Sequence, residues 1–152
     1  MKLSTKGRYG LRAMIDLADY SEESPQSIAN IADRQSISDS YLEQLMAKLK
    51  KAGLITSIRG AQGGYVLAKP REEISVGDIL RALEGNLSPV NCTGLKGDQS
   101  CLGSDKCVTK YVWKRIDESI QNAVDTIMLS ELVEDHRKMR ADSAHPSVNC
   151  DI

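Results

Sequence analysis

The sequence reads as a mainly α protein, with helices grouped around a small β-hairpin and a long helix towards the C-terminus. Three observations predict this. Apolar residues recur at three- and four-residue spacing through several stretches of the first 85 residues, most of them opened by a serine. Between residues 54 and 68 the period drops to two on either side of a glycine-rich tip. A single narrow apolar stripe then runs from 108 to 129. The 152 residues suit one compact domain with one appendage, long enough to bury a core without staples.

Tyr9, Leu11, Met14, Ile15 and Ala18 mark the first helix, expected over 5–20. Ser24-Pro25 punctuates, and Ser27 caps a short helix to Arg34 that buries Ile28 and Ile31. Ser38 caps the next, which runs to about Ala52 with Leu42, Leu45, Met46 and Leu49 inward and Gly53 at its close. Leu54, Thr56 and Ile58 alternate with Ile55, Ser57 and Arg59 as a strand, 60–64 forms a five-residue tip, and 65–68 returns. Ser75 opens a fourth helix to Glu84, with Val76, Ile79, Leu80 and Leu83 inward and Gly85 ending it.

Residues 86–107 resist any periodic reading and hold three of the four cysteines; so long a segment without structure suggests a functional loop. Val108, Val112, Ile116, Ile120, Val124 and Ile127 line a long helix over about 108–129, whose narrow stripe suits packing against another chain. Ser130 is the expected cap of a last helix over 131–140, and the tail from Ala141 reads as disordered. The expected division is 1–85, 86–107, 108–140 for dimerisation, and 141–152 as the tail.

Helix, short helix, turn, helix and hairpin, in that order, describe a winged helix-turn-helix. In such a fold the helix from 38 to 52 lies in a major groove with its first residues at base edges. Ser40, Glu43 and Gln44 share its outward face with position 47. Glutamate accepts from cytosine N4 and glutamine pairs with adenine. Ser38, Tyr41 and Lys48 join the candidate contacts, with Lys48, Lys50 and Lys51 suited to phosphates. Arg59 and Gln62 at the hairpin tip reach an adjacent minor groove, and Lys6 and Arg8 add charge near the N-terminus. Winged helices also bind proteins, so the fold leaves the partner open.

Charge favours the same half of the chain. The total is 20 basic against 21 acidic residues, which excludes a uniformly basic coat. Residues 1–70 carry a net charge of +3 and residues 71–152 a net charge of −4, so a polyanion partner is expected at the first half. The polar N-terminus lacks the apolar core of a secretory signal and no apolar run approaches a membrane span; the expectation is a cytoplasmic protein with no membrane partner. No nucleophile with a positioned base stands out, so an enzyme is not expected.

Cys92, Cys101 and Cys107 are spaced C-x8-C-x5-C, unlike the close pairs of a zinc ribbon but suited to a loop around a larger object such as an iron–sulfur cluster. Three free thiols in a flexible loop is the plainer alternative. A fourth ligand is not evident. Asp98 and Asp105 lie in the loop, His136 sits on a polar helix, His145 and Cys150 are in the tail, and Lys110 is a poor ligand type.

Met-Lys-Leu-Ser-Thr-Lys-Gly-Arg-Tyr-Gly (1–10), Ser-Tyr-Leu-Glu-Gln-Leu (40–45) and Ser-Ile-Arg-Gly-Ala-Gln-Gly-Gly-Tyr (57–65) resemble the Rrf-type bacterial transcription regulators over about residues 1–140. Three cysteines after the fourth helix make the chain most similar to the iron–sulfur members. The resemblance implies a homodimeric operator-binding repressor, joined by the helix over 108–129. It implies a [2Fe–2S] cluster on Cys92, Cys101 and Cys107 that reports cluster supply and tunes control of cluster-biogenesis genes, with cluster-delivery proteins as further partners. Base contacts fall on Ser40, Glu43 and Arg59. The first inter-cysteine gap is longer here by three residues, and Lys110 stands where those members carry a histidine ligand. Rival expectations are a redox or nitric-oxide sensor with a [4Fe–4S] cluster, a cluster-free repressor of cysteine metabolism, and an electron-transfer protein that ignores DNA.

Overall fold

The computed structural model describes residues 3–90 and 106–143. In chain order these are α1 (Thr5–Tyr20), α2 (Ile28–Gln35), α3 (Asp39–Lys51), β1 (Ile55–Ile58), β2 (Gly64–Leu67), a 3-10 turn (Arg71–Glu73), α4 (Val76–Glu84), α5 (Lys110–Thr126) and α6 (Leu129–Asp142). The mainly α winged helix-turn-helix expected from the sequence is the fold observed.

Serine hydroxyls open the first four helices. Ser4, Ser27, Ser38 and Ser75 accept from the amides of Lys6, Asn30, Tyr41 and Asp78, supplying partners to N–H groups that a helix start leaves unpaired. At α4 the Asp78 carboxylate also accepts from the Ser75 amide, completing a capping box. The inward faces of α3 and α4 are those expected: Leu42, Leu45, Met46, Leu49, Val76, Ile79, Leu80 and Leu83 are all buried.

The hairpin is antiparallel, with Ile55 opposite Leu67 and Ile58 opposite Gly64. Gly64 therefore belongs to the returning strand, and the tip is 59–63. Gln26 and Tyr65 exchange backbone hydrogen bonds of 3.0 and 2.8 Å, adding a rung in front of α2. A Cβ at Gly64 would stand 2.6 Å from the Gln26 carbonyl, so only glycine admits that rung. The expected alternation in β1 fails: Leu54 and Ile55 are both buried and Ile58 is exposed. The base of the hairpin lies on the core beside α1 and α3, whereas its outer end projects into solvent.

The C-terminal helices differ most from expectation. The helix expected over 108–129 ends at Thr126, because the next residues pair with the segment before α4. The Val76 amide donates to the Ile127 carbonyl (2.9 Å) and the Leu129 amide to the Ile74 carbonyl (2.8 Å). Ser130 is no cap; Met128 precedes the first turn of α6, and the Glu131 carboxylate accepts from its amide at 3.3 Å. Ala141 and Asp142, expected in the tail, are the end of α6, and residues 144–152 lie outside the described ones. Leu129 and Val133 are 0% exposed in the same core as α1–α4. Arg137 and Arg140 bind the Asp19 carboxylate at 2.6 and 2.7 Å. So α6, grouped with the dimerisation helices by its sequence position, completes the core of its own chain. By contrast, α5 has no buried residue; Ile120 and Val124 rest on a small cluster of Val76, Leu80 and Leu87.

Candidate nucleic-acid interface and cysteine segment

Because the apolar face of α3 is fixed inside, Ser40, Glu43, Gln44 and Ala47 lie on its exposed face. The turn into α3 passes through Ser36 in the left-handed region (φ 54°), with its amide and that of Ile37 bonded back to Asp33 and Ala32. Ser38 is also exposed, and its hydroxyl is engaged as the cap. Tyr41 is half-buried; its hydroxyl donates to Thr5 Oγ1 (3.2 Å), and its ring meets Tyr9 edge-on at 6.0 Å. That contact sets the start of α1 beside the first turn of α3, and Lys6 and Arg8 in that part of α1 are both exposed.

The hairpin tip carries Arg59 and Gln62, both exposed. Its orientation is tied to α3 by Lys50, whose ammonium donates to Ser57 Oγ at 2.7 Å. Lys48 is exposed, with its Nζ 3.5 Å from the Leu83 carbonyl on α4. The expected contact residues thus fall on three elements: the start of α1, the outer face of α3, and the wing.

Two groups missed in the sequence set this arrangement. Asp16 lies buried on the inner face of α1 and receives a forked pair of bonds from Arg34 (2.6 and 2.9 Å) and one from the side-chain Nε2 of Gln35 (2.9 Å). Arg34 also reaches Gln26 Oε1 and stacks 4.0 Å from the Tyr20 ring centroid. Its hydrogen bond to Asp16 raises the affinity of the guanidinium for its proton. This network fixes α2 against α1, and so the angle at which α3 is presented. A charged residue amid the apolar stripe of α1 was the available signal. The second group is Glu84, which accepts from the start of α1. Burial pushes its carboxyl up, but bonds from Ser4 and Gly7 and the nearby Lys6 charge outweigh that and hold it below the ordinary carboxylate range.

Of the cysteine set, Cys107 is described; Cys92, Cys101 and Cys150 lie outside the described residues, as do Asp98, Asp105 and His145. Cys107 is a free, half-exposed thiol three residues before α5. Its Sγ is 3.1 Å from Thr109 Oγ1. That hydrogen bond, with help from the amides of Lys110 and Thr109, pulls the thiol below its ordinary value, so the thiolate is favoured. His136 is on α6, with Nε2 3.8 Å from Asp19. Among the described residues no group of three or more His, Cys, Asp or Glu side chains is placed to hold a metal.

Residues 3–135 match the Rrf2 family, described as an iron-dependent transcriptional regulator. The chain is 44% identical over 133 residues to the HTH-type transcriptional regulator IscR of Serratia proteamaculans (strain 568), covering 88% of this chain and 79% of that relative. Among solved structures it resembles T. potens IscR, at 43% identity and TM-score 0.73 over 96% of this chain and 94% of that one. With the same TM-score of 0.73 it resembles CymR of B. subtilis, described as the global cysteine regulator, at 41% identity over 88% of this chain and 97% of that one. No helix among the described residues is long and apolar enough to cross a membrane. The exposed polar face of α3, the wing beside it and these likenesses make one conclusion: the chain belongs to the Rrf2 family and is a DNA-binding transcriptional regulator, not an enzyme.

Proposed function

We propose that the protein is a homodimeric regulator that binds operator DNA through α3 and the wing and responds to iron–sulfur supply through Cys92, Cys101 and Cys107. The observation that carries the sensing half is Cys107. Its thiol is accessible, is held towards the thiolate by Thr109, and stands where the cysteine-bearing segment enters α5. Cluster irons are bound by thiolates, so this side chain fits the donor set the spacing suggests. The group expected there is a [2Fe–2S] cluster, controlling cluster-biogenesis genes, and its contribution when bound is to join the three thiolates.

The residues of this chain supply the rest. Arg81 on α4 binds Asp125 of α5 at 2.7 Å, so the helix that follows the cysteine segment is tied to the winged unit. The DNA-facing residues are Lys6, Arg8, Ser38, Ser40, Tyr41, Glu43, Gln44, Lys48, Arg59 and Gln62. Glu43 and Gln44 read base edges, and Lys6, Arg8, Lys48 and Arg59 meet phosphates or the minor groove. The apolar start of α5, with Val108 just before it, supplies the dimer contact: Val108, Tyr111 and Val112 are 80%, 67% and 52% exposed. The protein acts in the cytoplasm.

Protein purified anaerobically is expected to be brown, with about two iron and two sulfide per chain, the composition of a [2Fe–2S] centre. Four of each would favour the redox-sensor reading. Colourless protein after reconstitution with iron and sulfide would overturn cluster sensing while leaving DNA binding in place. Two observations favour that second reading, a cluster-free repressor of the cysteine-regulator type: Lys110 occupies the place of the expected histidine ligand, and the TM-score to CymR matches that to T. potens IscR.

A further inference from the structure

Glu84 ends α4, one residue before Gly85, where the chain turns (φ 82°) towards the cysteine-bearing segment. Its Oε1 accepts three hydrogen bonds from the start of α1: the Ser4 amide at 3.0 Å, the Ser4 hydroxyl at 2.6 Å and the Gly7 amide at 2.9 Å. Helix starts leave N–H groups unpaired and carry partial positive charge, so a carboxylate is the natural acceptor there. The approach is close. A Cβ at Gly7 would stand 2.8 Å from that same oxygen, and one at Gly10, a turn further on, would collide with Leu83. From the other side, Tyr41 of α3 bonds Thr5. The first turn of α1 is thus held between the last turn of α4 and the first turn of α3, and its exposed residues include the two cations Lys6 and Arg8.

We propose that Glu84 is a positioning residue for DNA binding, clamping the first turn of α1 to the end of α4 so that Lys6 and Arg8 meet the phosphate backbone beside the recognition helix. The inference rests on the DNA-facing reading given above. It assigns Glu84 an effect opposite to simple electrostatics, because an acidic side chain next to Lys6 would by charge alone repel DNA.

That opposition makes the test sharp. Glu84→Gln removes the charge and keeps an acceptor oxygen, whereas Glu84→Ala removes both. Binding of the full-length protein to a fluorescent mixed-sequence DNA duplex is measured by anisotropy across a salt series. Each phosphate contact contributes about −0.9 to the slope of log K against log salt. If Glu84→Ala loses the Lys6 and Arg8 contacts, it binds more weakly than Glu84→Gln, and the ratio shrinks about tenfold between roughly 50 and 200 mM salt. In a Lys6→Ala/Arg8→Ala background the ratio falls to one. Should Glu84→Ala not fold, as judged by far-UV ellipticity, Ser4→Ala takes its place and gives a smaller change of the same sign. Equal binding by the alanine and glutamine variants, or a ratio that persists in the double-alanine background, overturns the clamp. An unchanged salt slope for Lys6→Ala/Arg8→Ala alone overturns the DNA-facing reading itself, and the clamp with it.

Discussion

Thr109 gives Cys107 its character. The thiol is half-exposed, so burial does little to oppose ionisation, and the 3.1 Å hydroxyl contact decides the direction. A depressed thiol value means more thiolate at neutral pH and no change once both states are fully ionised. Thr109→Val should therefore lower the thiolate fraction and slow alkylation of Cys107 by iodoacetamide near neutral pH. The pH midpoint, followed on the Cys107 peptide by mass spectrometry, should move up towards that of an ordinary thiol. An unmoved midpoint would remove Thr109 from any part in thiol activation. The candidate site was legible at this scale only where residue type and spacing suffice. The cysteine spacing, the exposed positions 40, 43 and 44, and the wing arginine are local features of the sequence. The partners of Glu84 and Asp16 were not readable, because each lies far away in the chain: Ser4 and Gly7 for Glu84, Arg34 for Asp16.

At the level of elements, the first four helices follow from their serine caps and their apolar period, because both are short-range signals. The break between α5 and α6 is of another kind. Nothing in residues 126–129 stops a helix, since glycine and proline are both absent there. The break is made by pairing with Ile74–Val76, some fifty residues earlier, which exchanges helix hydrogen bonds for a bridge and turns α6 onto α1. A period-based reading therefore ran α5 too long and gave no sign that Leu129 and Val133 of α6 join the core. The consequence is measurable. Leu129→Ala should cost about 2–5 kcal/mol in urea unfolding, the range for emptying a buried leucine site. Met139→Ala on the exposed face of the same helix should stay within about 0.5 kcal/mol. Equal, small effects at both positions would contradict a core role for α6.

For the whole molecule, the question is what α5 is for. It is tied to α4 through Arg81, yet it buries none of its own residues completely. Its C-terminal half rests on Val76, Leu80 and Leu87, whereas Tyr111 and Val112 at its start, and Val108 just before it, are exposed. Apolar side chains clustered at one end of a helix, beyond the core of their own chain, suit a second copy, and stable pairs of chains bury about 800 Å² on each partner. A dimer built there would put two copies of α3 on one duplex, and the attachment of α5 to α4 would set their separation. Half-sites read by one dimer are spaced by about 34–36 Å or a multiple of it, so that separation bears on operator choice. Tyr111→Glu/Val112→Glu tests the arrangement without touching the core, because both side chains are exposed. Sedimentation should give a folded monomer where the unaltered protein is a dimer. Binding to a duplex with two half-sites should weaken by about a hundredfold or more, the loss expected when a linked second contact is removed. Binding to a duplex with one half-site should not change. If the doubly substituted protein still sediments as a dimer, the contact lies elsewhere on the chain; if it is a monomer with undiminished two-site affinity, the chain reads its operator without a partner.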